Sequence, residues 1–128
     1  MEKTKIYLKR IKNKGRGVFA NQNIQKGEII EICPIIHFTP KEKKHIEETI
    51  LAHYVYPWIN TKDGSVVLGY GSIYNHAYDS NANWEQNYKT NCMVYKAVKL
   101  IKKGEEITVN YNGDPDDRKK IDWFEVKK

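Results

Sequence analysis

The sequence predicts a single, mainly β domain built from short strands, with one helical insert. Three observations lead there. Short apolar and β-branched runs recur along the chain, separated by turn signals at Lys14–Gly17, Gln25–Glu28, Lys62-Asp63-Gly64 and Lys102–Glu105. Only one segment carries a full helix-start signature. A length of 128 residues suits one core and leaves little room for a second module.

In chain order, Ile6-Tyr7-Leu8-Lys9-Arg10 reads as a strand before the Lys14–Gly17 loop, and Val18-Phe19-Ala20 resumes it. The Gln25–Glu28 turn leads into Ile29–Ile32, after which Pro34, lacking an N–H, limits further pairing. Thr39-Pro40-Lys41-Glu42 opens the helix. Thr39 can cap, Pro40 suits the first turn, and Glu42 completes a Thr-x-x-Glu capping box. Ile46, Ile50, Leu51 and Tyr54 then share one face, so helix is expected through about residue 52. Tyr54–Ile59 and Ser65–Leu68 flank Asp63-Gly64 as a hairpin would. The Asn-rich stretch from Asn75 to Asn87 is expected to be mostly loop, with Asn91–Ala97 and Ile107–Tyr111 as the last strands.

Composition narrows the function classes. Hydrophobic content of 40% excludes a disordered chain, and no apolar run approaches the ~20 residues of a bilayer span. The charged start, Met1-Glu2-Lys3-Thr4-Lys5, is unlike a signal peptide, so the expected compartment is cytoplasmic, or nuclear if the source or host is eukaryotic. Cys33 and Cys92 lack metal or redox spacing and read as free thiols. His37, His45 and His53 walk around a helix instead of stacking, so no metal is expected. The net charge of +6 is concentrated at the start, where residues 1–26 hold eight Lys/Arg and one Glu. That asymmetry fits an acidic or nucleic-acid-bound partner, and equally a solvated lysine-rich surface.

Three short motifs carry the chemical signal. Gly15-Arg16-Gly17-Val18-Phe19-Ala20 is a glycine-bearing loop running into a strand, where backbone can approach a ligand that a Cβ would displace. It lacks the context of a dinucleotide fingerprint. Tyr74-Asn75-His76 follows, then Gly104-Glu105-Glu106-Ile107-Thr108-Val109-Asn110-Tyr111. Singly, these would be a turn, a polar loop pair and an ordinary strand tyrosine.

Their order and near-letter match resemble the SET domain family of protein-lysine methyltransferases, over almost the whole chain. The family's second signature, commonly Asn-His-Ser-Cys-x-Pro-Asn, corresponds to Asn75-His76-Ala77-Tyr78-Asp79-Ser80-Asn81, and its third, Gly-Glu-Glu-Leu-Thr-x-x-Tyr, to Gly104–Tyr111. The run Leu68–His76 and Asn112–Asp117 look like compact stand-alone members. The resemblance implies a β-clip-like fold of several small curled sheets with a C-terminal pseudoknot, spanning residues 1–128. One short helical insert would lie at about 34–56 and a tail at 112–128. It implies transfer of methyl from S-adenosylmethionine, leaving S-adenosylhomocysteine, to a lysine of a histone, ribosomal or other protein.

By the same resemblance Tyr111 is the catalytic tyrosine. Lys14, Gly15, Arg16, Gly17, Val18, Asn75 and His76 would meet the methyl donor, and Tyr54, Tyr70, Trp84 and Val109 would line the lysine channel. Trp123 would cover adenine, although it and Phe124 read equally well as core packing. A lysine amine has a pKa of ~10.4, so near neutral pH its deprotonation costs roughly 4 kcal/mol; an aromatic channel supplies desolvation toward this. Glu105 and Glu106 read as turn and strand support, since no carboxylate base is required.

Departures are Ala77, Tyr78 and Ser80 in the second signature, the absence of flanking cysteine clusters, and Val109 where many members carry Phe or Tyr. A small residue there leaves room for more than one methyl. A homodimer completing the substrate groove also fits the resemblance. Two other readings are an inactive SET-like binding module and, less well supported by the motifs, a basic nucleic-acid-binding β domain.

Overall fold

A computed structural model describes residues 4–13, 15–60 and 62–111. Two sheets make up the described residues. The first has the order β1-β2-β9-β6, from Ile6–Ile11, Gly15–Ala20, Glu106–Val109 and Asn75–His76. The second has the order β4-β5-β3-β8-β7, from Val55–Tyr56, Gly64–Val67, Ile29–Phe38, Cys92–Ala97 and Ala82–Asn87. Ile6, Val18 and Ala20 of the first sheet meet Cys33, Val67, Met93 and Tyr95 of the second in one hydrophobic core, completed by Ile24, Ile101 and Ile107. Cys33, buried, and Cys92, half-buried, are free thiols.

Pro34 does not end its strand. β3 pairs with β8 from Ile29 to Pro34, then changes partner and pairs with β5 from Ile35 to Phe38. The proline sits at the changeover, where its carbonyl still accepts the Leu68 N–H at 2.9 Å. An N–H is dispensable there. A register shift between Ile29 and Glu31 adds curl to the long strand. Residues 34–38 of the expected insert therefore belong to β3.

The helix begins as its sequence dictates and ends sooner. Thr39 N–H donates to Glu42 Oε1 at 2.9 Å and Glu42 N–H to Thr39 Oγ1 at 3.2 Å, the reciprocal box. The helix α1, Pro40–Ile46, then stops. Thr49 is the reason. Its hydroxyl donates to the Ile46 carbonyl at 2.6 Å and accepts the Leu51 N–H at 3.2 Å, starting a separate 3-10 turn, Ile50–His53. No burial opposes this break, since α1 has no buried residue and Ile50 is 73% exposed.

Two further expectations give way. Asp63 does not form a tight Asp-Gly turn; it is buried and accepts the N–H groups of Trp58, Ile59 and Asn60 at 3.1–3.2 Å. A wider loop wraps around its carboxylate, while the pairing Val55↔Val66 and Tyr56↔Ser65 survives. The polar 75–87 stretch holds two strands. β7 tolerates polarity because it is an edge strand, with residues Trp84–Asn87 half-buried or exposed.

β6 is short but places the site. It runs parallel to β9, pairing Asn75↔Thr108 and His76↔Val109. Residues 77–81 then clasp β9: Ala77 N–H donates to Val109 O at 3.0 Å, while Asn81 donates to Glu106 O and accepts from Thr108 N–H, both at 2.9 Å. This is the part of the expected crossing that falls within the described residues; the 112–128 tail, with Trp123, lies outside them, as does Lys14.

Candidate active site

Tyr111 lies two residues beyond the end of β9, whose pairing with β2 and β6 carries it to the junction of β2 and the Asn75-His76 strand. Its hydroxyl donates to the Tyr74 carbonyl at 2.8 Å. Its N–H donates to His76 Nδ1 at 2.9 Å, with the two rings 5.0 Å apart. Burial, then the neighbouring phenols of Tyr56 and Tyr54 and the Glu106 carboxylate, hold the Tyr111 hydroxyl well above the usual phenol range. It is therefore a neutral donor whose proton is committed to Tyr74.

His76 is fixed in one tautomer. Accepting at Nδ1 puts its proton on Nε2, and burial lowers its pKa, so the ring is neutral. Nε2 is buried without a hydrogen-bond partner among the described residues.

The expected loop is strand from Gly15 onward, paired with β1, and β2 is tied to the site through Asn75. Its side-chain amide donates to the Arg16 carbonyl at 2.9 Å and to Glu106 Oε2 at 2.7 Å. Gly17 makes this possible, since a Cβ there would lie 2.7 Å from Glu106 Oε2 and 2.6 Å from Ile11 Cδ1. Gly15 is at φ +83°, and Val18 is fully buried, paired with Ile107. Glu106 thus supports the strands, and Glu105 closes the turn by accepting the Lys102 N–H at 2.7 Å.

The aromatic residues divide. Tyr54 lies close enough to Tyr111 to perturb its phenol. Trp84, half-buried on β7, meets Tyr56 edge to face at 5.0 Å. The Tyr70 backbone N–H donates to Glu31 at 3.0 Å, and its half-buried ring packs against the core. Val109 is enclosed by the core, opposite His76. Sequence reasoning missed Tyr56, whose spacing two residues after Tyr54 was an available signal. It also missed Tyr74 as the carbonyl holding Tyr111.

The Glu106 carboxylate, beside the β2 backbone at Gly17, suits a ligand bearing positive charge better than an anionic one. S-adenosylmethionine, a sulfonium, fits that description.

Comparison with known proteins gives concordant matches. The SET domain family model matches residues 15–112. A histone-lysine N-methyltransferase of Schizosaccharomyces pombe, specific for H3 lysine-37, is 35% identical over 107 residues, covering 83% of this chain and 72% of that protein. The crystal structure of a Plasmodium falciparum candidate histone methyltransferase superposes with a TM-score of 0.68 at 33% identity, over 86% of this chain and 95% of that one. A Polycomb repressive complex 2 of Chaetomium thermophilum, bound to S-adenosylmethionine, gives 0.71 at 22% identity over 86% of this chain and 15% of that one, a likeness of fold alone.

Proposed function

Because the chain belongs to the SET domain family and is an S-adenosylmethionine-dependent protein-lysine methyltransferase, we propose that Tyr111 is its catalytic tyrosine. The observation that carries this is the Tyr111 hydroxyl, held by the Tyr74 carbonyl beside Tyr54 and Tyr56. The donor supplies an activated sulfonium methyl and departs as the neutral thioether. Its cradle would be the backbone of Lys14, Gly15, Arg16, Gly17 and Val18, with Asn75 and His76, and Trp123 over adenine.

This chain's residues then have three tasks. Tyr54, Tyr56 and Trp84 exclude water from the incoming ammonium, favouring its neutral form, while their ring faces attract the alkylammonium by ~0.5–2 kcal/mol before it deprotonates. The Tyr111 oxygen, its own proton engaged, accepts an N–H of the amine and turns the nitrogen lone pair along the attack line. Asn75 locks the start of β2 against β9, so donor and acceptor surfaces keep one spacing. Val109, small and enclosed behind His76, leaves room for more than one methyl.

The substrate class we favour is a lysine on a histone or similar basic, nucleic-acid-bound protein, supported by the yeast relative's specificity and by the +6 charge, which suits the anionic surroundings of such a target. That class sets the compartment as the cytoplasm, or the nucleus where source or host has one. The test is transfer of labelled methyl into histones and cell extract. Wild type should label lysine, and Tyr111→Phe should lose on the order of 100-fold in kcat while still binding donor. Equal labelling by both proteins would remove Tyr111 from the chemistry.

A further inference from the structure

The Tyr111 hydroxyl is held by a residue whose own side chain is bonded from outside the three motifs. The carbonyl it donates to belongs to Tyr74, and Tyr74 is held at both ends of its side chain. Its ring is fully buried and stacked on Tyr95 at 4.5 Å, with 29° between planes. Its hydroxyl donates to Glu31 Oε1 at 2.8 Å, across 43 residues of sequence. The other oxygen of the same carboxylate accepts the Tyr70 N–H at 3.0 Å. Glu31 therefore bridges the 68–73 turn and the residue that immediately precedes Asn75-His76.

The turn closes on the carboxylate only because of Gly69. Its φ is +65°, and a Cβ at that position would stand 2.5 Å from Glu31 Oε2. Burial first, and the Glu31 carboxylate next, keep the Tyr74 phenol protonated far above physiological pH, so the donor is always present. The run Leu68–Tyr74 is thus built around a carboxylate on β3.

We propose that Glu31, acting through Tyr74, is a positioning residue that sets the aim of the Tyr111 hydroxyl. Its kinetic consequence rests on the methyltransferase reading above; the contact itself does not. Glutamate is suited because it offers two acceptors to two donors from different segments. Glutamine offers one, which the Tyr70 N–H takes, and turns its NH2 toward the Tyr74 hydroxyl, which must then rotate to accept, so the bond that fixes Tyr74 is reversed and weakened from a carboxylate to an amide contact. A displacement of ~1 Å at an aligned reaction costs on the order of 100-fold.

The test compares Glu31→Gln and Tyr74→Phe, each alone and combined with Tyr111→Phe, in the full-length protein. Tyr74→Phe keeps the ring stack on Tyr95, so it stays folded if the Glu31 variant does not. The expected result is a kcat reduced tenfold to 100-fold with KM values nearly unchanged, and almost no added loss in the Tyr111→Phe background. A packing defect would instead multiply with Tyr111→Phe, and that outcome would overturn the proposal. The Tyr111 ring carbon resonance in 13C-tyrosine-labelled protein should move in both single variants, and an unmoved resonance in both would also overturn it. That signal is read without turnover. Absence of methyl transfer by wild type would therefore sink the enzymatic reading alone.

Discussion

A proton on His76 Nδ1 would remove the acceptor that receives the Tyr111 N–H. Burial holds this imidazole below its usual pKa of 6.5. As pH falls, the unfolded chain therefore takes up the proton first, and stability declines below about pH 6.5 until the folded ring is itself protonated. Above that range the histidine is neutral in both states and imposes no penalty. We expect the Tm to drop between about pH 7.5 and 5.5, with a shallower slope in His76→Asn, whose side-chain oxygen still offers an acceptor near the Nδ1 position. Identical slopes in the two proteins would remove His76 from the pH response. The residues of this site were legible in sequence where they sat within one signature, as Tyr111, Asn75 and His76 do. The parts played by Tyr74 and Glu31 were not, because they arise only when segments distant in sequence meet, and Tyr56 offered only its spacing after Tyr54.

The α1 helix and the loop around Asp63 differ in how much stability they hold. The capping box of α1 is complete, but the helix buries nothing, so Thr39→Ala should cost only about 1 kcal/mol. Asp63 is different in kind. Burial opposes its charge, yet the hydrogen bonds from His37 at 2.7 Å and from the N–H groups of the 57–63 loop outweigh that and hold its carboxyl below the ordinary range. Asp63→Ala leaves those donors without their shared acceptor and should cost on the order of 3 kcal/mol. Urea denaturation of both variants checks the contrast, and equal costs would refute it. Loop 57–63 also carries the Trp58 carbonyl that accepts from Gln86 and Tyr88 at 3.0 Å, so its collapse reaches the β7 strand bearing Trp84.

At the scale of the molecule, charge and core answer separate questions. The ion pairs Lys5–Glu28, Lys96–Glu85 and Lys99–Asp79 lie at the surface and contribute little to the fold. The excess of positive charge bears on association instead. KM for a histone assembled on DNA should rise with salt more steeply than KM for a short neutral peptide carrying the same lysine, since screening acts on the long-range term. Parallel salt curves would assign the charge to solubility. The amino-acid sequence by itself determined the strand-rich class, the start of the one helix and the order of the three signatures, because turn chemistry, capping and a contiguous motif are local properties. Only the tertiary structure decided that β3 passes through Pro34 by exchanging partners, that the helix yields at Thr49, and that Glu31 reaches Tyr74. Each of those outcomes depends on which distant group stands ready to accept or donate a hydrogen bond, and on whether burial rewards a continued element, quantities that no local stretch of sequence contains.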